Sequence, residues 1–256
     1  MEQAETILVT GATGTLGRPL VERLVAADAP VRVLSRRPRP AGDERPYAWA
    51  VGDLKQGTGL DAAVAGAGVI VHCATDARND TAATRRLLAA AKRAGSPHFV
   101  YISIVGVDRV PLPYYRSKLA IERLVEDSGL PWTVLRTTQF HDLAAKVTDV
   151  QRRLPFVLVP GGLRIQPIEV TEVAERLAEL ARGPAVGRVA DMGGPQVLGA
   201  RETAAAVLRA AGRRRPLLPV RLPGRIYRAF REGGHLAPEH AVGKVSFAEY
   251  LAARRT

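Results

Sequence analysis

One cysteine, Cys73, is all the sequence holds, which excludes an intramolecular disulfide and a cysteine-rich metal site; no bound metal is expected. Aromatic residues are scarce at 5%, and no basic cluster alternates with them as a base-stacking platform would require. No apolar run approaches the ~20 residues of a membrane span. The acidic start carries no cationic stretch, and the apolar run after it, Ile7 to Thr10, is too brief for a secretion signal. A cytoplasmic protein is expected, with neither nucleic acid nor membrane as partner. Acids are outnumbered: 25 Asp and Glu against 37 Lys and Arg leave a formal charge of +12. The arginines are scattered, and the densest run, Arg213 to Arg215, precedes Pro216 and reads as solvated loop. Such an excess also draws in anionic ligands.

What is present is an alternation of β-branched runs with alanine-rich amphipathic stretches. Strands are predicted at Thr6–Thr10, Val31–Ser35, Tyr47–Val51, Val69–Cys73, His98–Ser103 and Trp132–Arg136. Helices are predicted at Leu16–Ala27, Leu60–Ala65, Thr81–Ala94 and Tyr114–Ser128. This order implies right-handed βαβ crossovers and a parallel sheet. Continuous apolar strands such as Val69-Ile70-Val71 fit a sheet covered on both faces. Beyond Leu154 the pattern loosens: Phe156–Val159 and Arg164–Val170 read as extended, Val186–Met192 as a strand, and Pro216, Pro219 and Pro223 as an irregular crossing. Helices are predicted at Thr171–Arg182, Ala200–Ala211 and Phe247–Arg254. The fold class is α/β, a Rossmann-type doubly wound parallel sheet with a small C-terminal substrate-covering region. Residues 1–154 form the nucleotide-binding core, and 155–256 the C-terminal region built onto the same domain.

The strongest local signal is Thr10-Gly11-Ala12-Thr13-Gly14-Thr15-Leu16-Gly17, which leaves a predicted strand and opens a predicted helix. Gly11 permits the tight turn, Gly14 lets a pyrophosphate approach the backbone, and Gly17 lets helix and sheet pack closely. Amides from Thr13 to Gly17 and the helix dipole then hold phosphate oxygens. An NAD site places an acid at the end of the second strand; here Ser35 and Arg36 stand there, a hydroxyl and a guanidinium suited to a 2′-phosphate. NADP(H) is therefore favoured over NAD(H), against the alternative that Arg36 is solvated loop. After the third strand, Asp53 is a candidate acceptor for the adenine amino group, with Leu54 against the ring; a turn aspartate is the competing reading. Cys73, Ala74 and Thr75 end the fourth strand, small enough to admit the nicotinamide ribose, with Cys73 a packing residue rather than a reactive thiol.

Ser103 ends a strand, and Tyr114 and Lys118 follow in Y-x-x-x-K spacing on a predicted helix, where i and i+4 share a face. There Lys118 can lower the phenol pKa from ~10, Tyr114 can protonate a carbonyl oxygen that Ser103 holds, and Lys118 can reach the nicotinamide ribose. Tyr115 is an equally available phenol, and Lys118 with Glu122 also fits a surface ion pair.

Together these residues resemble the short-chain dehydrogenase/reductase superfamily, and most of all its atypical, NmrA-like branch of NAD(P)H-binding oxidoreductases. The similarity spans nearly the whole chain. It includes Thr10 to Gly17, Ser103 to Asp108, Tyr114 to Lys118, Glu126 to Thr133, Leu135 to Phe140, Gln166-Pro167-Ile168 and Gly193-Gly194-Pro195. It implies that Thr137, Gln139 and Phe140 lie near nicotinamide and substrate. Reaction follows from such analogy less firmly than fold. NADPH-dependent reduction of a small carbonyl, quinone or polarised double bond is expected. The alternatives are a non-catalytic redox sensor, which the Tyr/Lys pair opposes, and a sugar-nucleotide epimerase or dehydratase, which the missing acid opposes. A monomer or homodimer acting on a small molecule is expected.

Overall fold

Thr6–Thr10 forms β1, whose last four residues are buried on both faces as the apolar run requires. The computed structural model describes residues 5–76 and 79–254, and the acidic start, residues 1–4, lies outside them. Helix α1, Gly17–Ala26, buries Leu20, Val21 and Leu24 along one stripe. Then follow β2 (Val31–Ser35), β3 (Ala48–Val51), α2 (Leu60–Val64), β4 (Ala67–His72), α3 (Asp80–Arg93), β5 (His98–Ile104), α4 (Pro113–Glu126) and β6 (Trp132–Thr137). After β6 come α5 (His141–Asp149), β7 (Val157–Pro160), β8 (Arg164–Ile165), α6 (Val170–Arg182) and β9 (Gly187–Arg188). The chain continues through β10 (Leu198–Gly199), α7 (Ala200–Ala210), β11 (Leu217–Val220), α8 (Arg225–Arg231) and α9 (Phe247–Ala253).

The residues cluster into two units. The first, Met1–Ser103 with Ser117–Leu135 and Val173–Val189, holds a seven-stranded parallel sheet in the order β3-β2-β1-β4-β5-β6-β9. The order reverses between β1 and β4, the switch point outside whose carboxyl ends open α/β sheets bind ligands. One face of the sheet presents Leu8, Ile70, Phe99, Tyr101 and Val134 to Leu87, Leu88, Ile121 and Val125 of α3 and α4, all buried. Each such side chain contributes about 1.5–3 kcal/mol by leaving water.

The second unit comprises Ile104–Arg116, Arg136–Glu172 and Ala190–Thr256. Here α5 and α9 pack on α7 through Ala144, Ala145, Val207, Phe247 and Leu251. Strands β7 and β11 run parallel beneath Ala204 and Leu208. Several expectations fail in this unit. Helix α5 falls where no element was predicted, and α8 is likewise unforeseen. The irregular crossing around Pro219 is the strand β11. The extended stretch Arg164–Val170 keeps ladder pairing only at Arg164–Ile165. The strand expected at Val186–Met192 keeps Gly187–Arg188 in the first unit's sheet, with Met192 joined to Thr137 by one isolated bridge in the second.

Candidate dinucleotide site

The glycine-rich turn leaves β1 at the switch point. Gly11 adopts φ +70°, and a Cβ on it would lie 2.6 Å from the Ala74 nitrogen, so the turns after β1 and β4 meet backbone to backbone. A Cβ on Gly17 would lie 2.1 Å from the Gly11 carbonyl oxygen. Gly14 is less confined: its Cβ would meet only that same oxygen, at 3.2 Å, a tight contact that a shift of a few tenths of an ångström relieves. In the Rossmann pattern this middle glycine is where the pyrophosphate approaches the backbone. No side chain caps α1 and no acid stands in its first turn, so neither its cap nor its first turn offsets the positive end of its dipole. The geometry fits a diphosphate. Gly17→Ala is expected to cost about 1–3 kcal/mol through overpacking. Gly14→Ala is expected to cost under about 1 kcal/mol yet weaken NADPH binding more than tenfold. Thermal melts beside cofactor titrations of both variants check this contrast.

Beneath the turn, a buried relay ties the switch point together. The Ala74 amide donates to Thr10 Oγ1 at 3.3 Å, which lies 2.7 Å from His72 Nδ1. His72 Nε2 lies 3.0 Å from Thr84 Oγ1, whose hydroxyl donates to the Asp80 carbonyl at 2.8 Å. With the Thr84 proton so assigned, the His72 ring donates to Thr84 through Nε2 and, when neutral, accepts from Thr10 at Nδ1. Burial, followed by the nearby Lys118 cation, pushes its pKa down to about 3. Cys73, half-buried after this strand, has its thiol pushed up to about 12 by desolvation, consistent with a packing residue rather than a thiolate.

Thr75 donates its hydroxyl to Asp80 Oδ2 at 2.7 Å, and the Asp76 amide donates to Asp80 Oδ1. The same Oδ2 lies 3.9 Å from Lys118 Nζ. Lys118 also stands 5.1 Å over the Tyr101 ring. Both Lys118 and Glu122 are buried, so the surface-pair reading of these residues is wrong. Desolvation lowers the Lys118 pKa, with Asp80 the chief opposing influence. Sequence reasoning missed Asp80, which reads as an ordinary acid at a helix start; only burial distinguishes it.

Ser103, at 1% exposure, has a buried hydroxyl with no hydrogen-bond partner among the described residues. Such a group calls for a partner from outside the chain. Ser35 is half-buried at the end of β2, its Oγ accepting from the Arg37 amide, and Arg36 is exposed. Asp53 Oδ1 accepts from the amides of Lys55 and Gln56 in a turn closed by a bridge to Thr58, and Leu54 packs on the core. That turn accounts for Asp53 without an adenine.

In the second unit the two adjacent tyrosines part company. Tyr115 is buried, edge-on to Phe230 and hydrogen-bonded to Gln139, and burial pushes its phenol up to about 12. Tyr114 is half-buried in the first turn of α4, one turn before Lys118. Thr137 and Phe140 join isolated bridges to Met192 and Ile168, while Gln139 Nε2 donates to the His235 carbonyl at 3.4 Å. The remaining quoted blocks are structural here. Gln166 Nε2 donates to the Gly194 and Ala237 carbonyls, and its Oε1 accepts from the Ala237 amide. A Cβ on Gly194 would lie 1.8 Å from the Pro167 carbonyl oxygen, so that glycine is fixed by close backbone approach.

A parallel sheet with this strand order, and a glycine turn opening an uncapped helix at its switch point, defines a dinucleotide-binding α/β protein of Rossmann type. The chain belongs to the NAD(P)H-binding family, whose profile it matches over residues 11–184. That agrees with the expected atypical short-chain dehydrogenase/reductase, NmrA-like membership. It is 32% identical over 224 residues, 81% of this chain and 74% of the relative, to a (4-alkanoyl-5-oxo-2,5-dihydrofuran-3-yl)methyl phosphate reductase of Streptomyces griseus. It is 29% identical over 212 residues, again 81% and 74%, to an NAD(P)H azoreductase of Xenophilus azovorans. In fold it is similar to an NADPH-dependent quinone oxidoreductase of Escherichia coli solved with NADPH. That match has a TM-score of 0.85 and 18% identity, and covers 98% of this chain and 100% of that one.

Proposed function

We propose that the chain is an NAD(P)H-dependent oxidoreductase, with NADP(H) preferred, that reduces a small carbonyl, quinone or polarised double bond. The observation that carries this reading is the glycine turn at the uncapped start of α1, where Gly14 is less closely confined by the protein than Gly11 or Gly17. The similarity to proteins named as reductases supports it. Amides of Gly11, Thr13, Thr15, Leu16 and Gly17 hold the pyrophosphate, which passes the Cβ-free side of Gly14, whose own amide closes the turn on the Gly11 carbonyl at 2.9 Å; Ser35 with Arg36 holds the 2′-phosphate. Ala74 and Thr75 flank the nicotinamide ribose, to which Lys118 donates. The bound coenzyme supplies hydride from C4 of its nicotinamide. Ser103 donates to the substrate oxygen, and Tyr114 gives that oxygen its proton, with Lys118 one turn along favouring the release. Thr137, Gln139 and Phe140 contact the substrate.

Fluorescence titration with NADPH and NADH, followed by a panel of quinones, ketones and azo compounds, tests the proposal. Tight NADPH binding with turnover of any member supports it. Binding without turnover makes the chain a sensor, and no binding of either coenzyme refutes the reading at its root. Arg36→Ala is expected to weaken NADPH by about 10- to 100-fold, the worth of a charge-assisted bond, and NADH by less than about threefold. Equal loss for both coenzymes in parallel titrations overturns the assignment of Arg36.

A further inference from the structure

We propose that the face built from α5, the turn after it, β7 and β11 docks peripherally on an anionic phospholipid surface. Helix α5 is inverted. Its small residues Ala144 and Ala145 face α7 and α9, while Leu143 and Val147 point outward. Val150 and Leu154 follow in the turn after α5, and Leu158 and Leu218 are direct partners in the β7·β11 ladder. All six are exposed, between 41% and 68%. Gln151 joins helix to strand: its Nε2 donates to the Val147 and Leu158 carbonyls, and its Oε1 accepts from the Leu158 amide. The six thus lie along one connected helix, turn and strand pair, exposed aliphatic side chains gathered on neighbouring segments.

Beside it, Arg152, Arg153, Arg213, Arg214 and Arg215 line an open depression of about 430 Å³. Arg215 is anchored, its Nη1 donating to the Gln151 carbonyl at 2.7 Å and the Leu154 carbonyl at 3.1 Å. That bond fixes the basic cluster against the turn after α5. The other four guanidiniums pair with no carboxylate among the described residues. Like charges gathered without counter-ions are stabilised by a multivalent anion.

The combination selects the occupant. A bilayer with anionic headgroups supplies phosphates to the arginines and an acyl boundary to the leucines and valines. A second copy of this chain brings the same cluster and the same +12 charge. Nucleic acid has use for the arginines but none for six aliphatic side chains. The expectation of no membrane partner rested on the lack of a span, which peripheral docking does not need.

Flotation of the full chain with vesicles of phosphatidylcholine, or of phosphatidylcholine with about one-third phosphatidylglycerol, tests the proposal. Binding to the anionic vesicles alone is expected, with release in about 0.5 M NaCl. Arg152→Glu with Arg153→Glu, and separately Val150→Ser with Leu154→Ser, are expected to lower partitioning by about thirtyfold with NADPH affinity and melting unchanged. Should the reversed pair fail to fold, Arg152→Gln with Arg153→Gln replaces it. Absence of anionic-vesicle binding, or full binding by either double variant, overturns the proposal. So does a dimer in sedimentation that the serine variant dissolves, which assigns the face to a second copy.

Discussion

Tyr114→Phe is expected to lower kcat by about 10²- to 10⁴-fold, the usual worth of a positioned general acid, with the NADPH Kd unchanged. The control is its neighbour. Tyr115 is enclosed by Phe230 and bonded to Gln139, and burial holds its phenol at about 12. It is spent on packing, so Tyr115→Phe is expected to cost about 0.5–1.5 kcal/mol of stability and to leave kcat within about threefold of wild type. The sequence offers two phenols in register with Lys118 or one residue off; burial separates them. Steady-state kinetics with a substrate found in the panel, beside thermal melts, decide the matter. Undiminished kcat in Tyr114→Phe removes the proposed acid. A large kcat loss in Tyr115→Phe without destabilisation reverses the assignment.

The first unit was legible because its signals are local. Thr6–Thr10 is a β-branched run with glycine at its end, and α1 shows one apolar stripe, so strand, turn and helix follow from adjacent residues. Much of the second unit was not, for identifiable reasons. Helix α5 turns alanines inward and Leu143 and Val147 outward, which blurs the apolar periodicity that reveals a helix. Pro219 marks a breaker in sequence, yet among the described residues β11 pairs with β7 alone, and a sheet edge tolerates proline. In the site, the glycines and the Tyr/Lys spacing were visible, whereas the partner of Lys118 was not. Asp80 reaches it only because the end of β4 and the start of α3 close together beside α4. The resemblance marked Gln166 and Gly194 as notable; the structure supplies the reason, a buried amide holding two backbone segments.

Asp80→Asn is expected to destabilise the protein by about 3–5 kcal/mol, because it removes the carboxylate that does most to favour the charge of a buried ammonium. Asparagine keeps an acceptor for the Thr75 hydroxyl or the Asp76 amide, so the loss falls mainly on Lys118, 3.9 Å away in the wild type. The pH dependence identifies the cause. Burial holds the Lys118 pKa below its ordinary 10.5, with Asp80 resisting. Between the folded value and 10.5 the unfolded chain binds the extra proton, so stability rises with pH across that window. Removing Asp80 drops the folded value further and extends the window downward. The melting gap between wild type and Asp80→Asn is therefore expected to be widest below the variant's lowered Lys118 pKa, at about 10 °C, and to narrow as pH rises from that value to the wild-type one. Lys118→Met added to Asp80→Asn is expected to recover part of the loss, since the uncompensated ammonium is then gone while the buried Glu122 loses the cation beside it. A gap that is flat with pH, together with no recovery in the double variant, confines Asp80 to bracing the Thr75 turn and removes it from the electrostatics of Lys118.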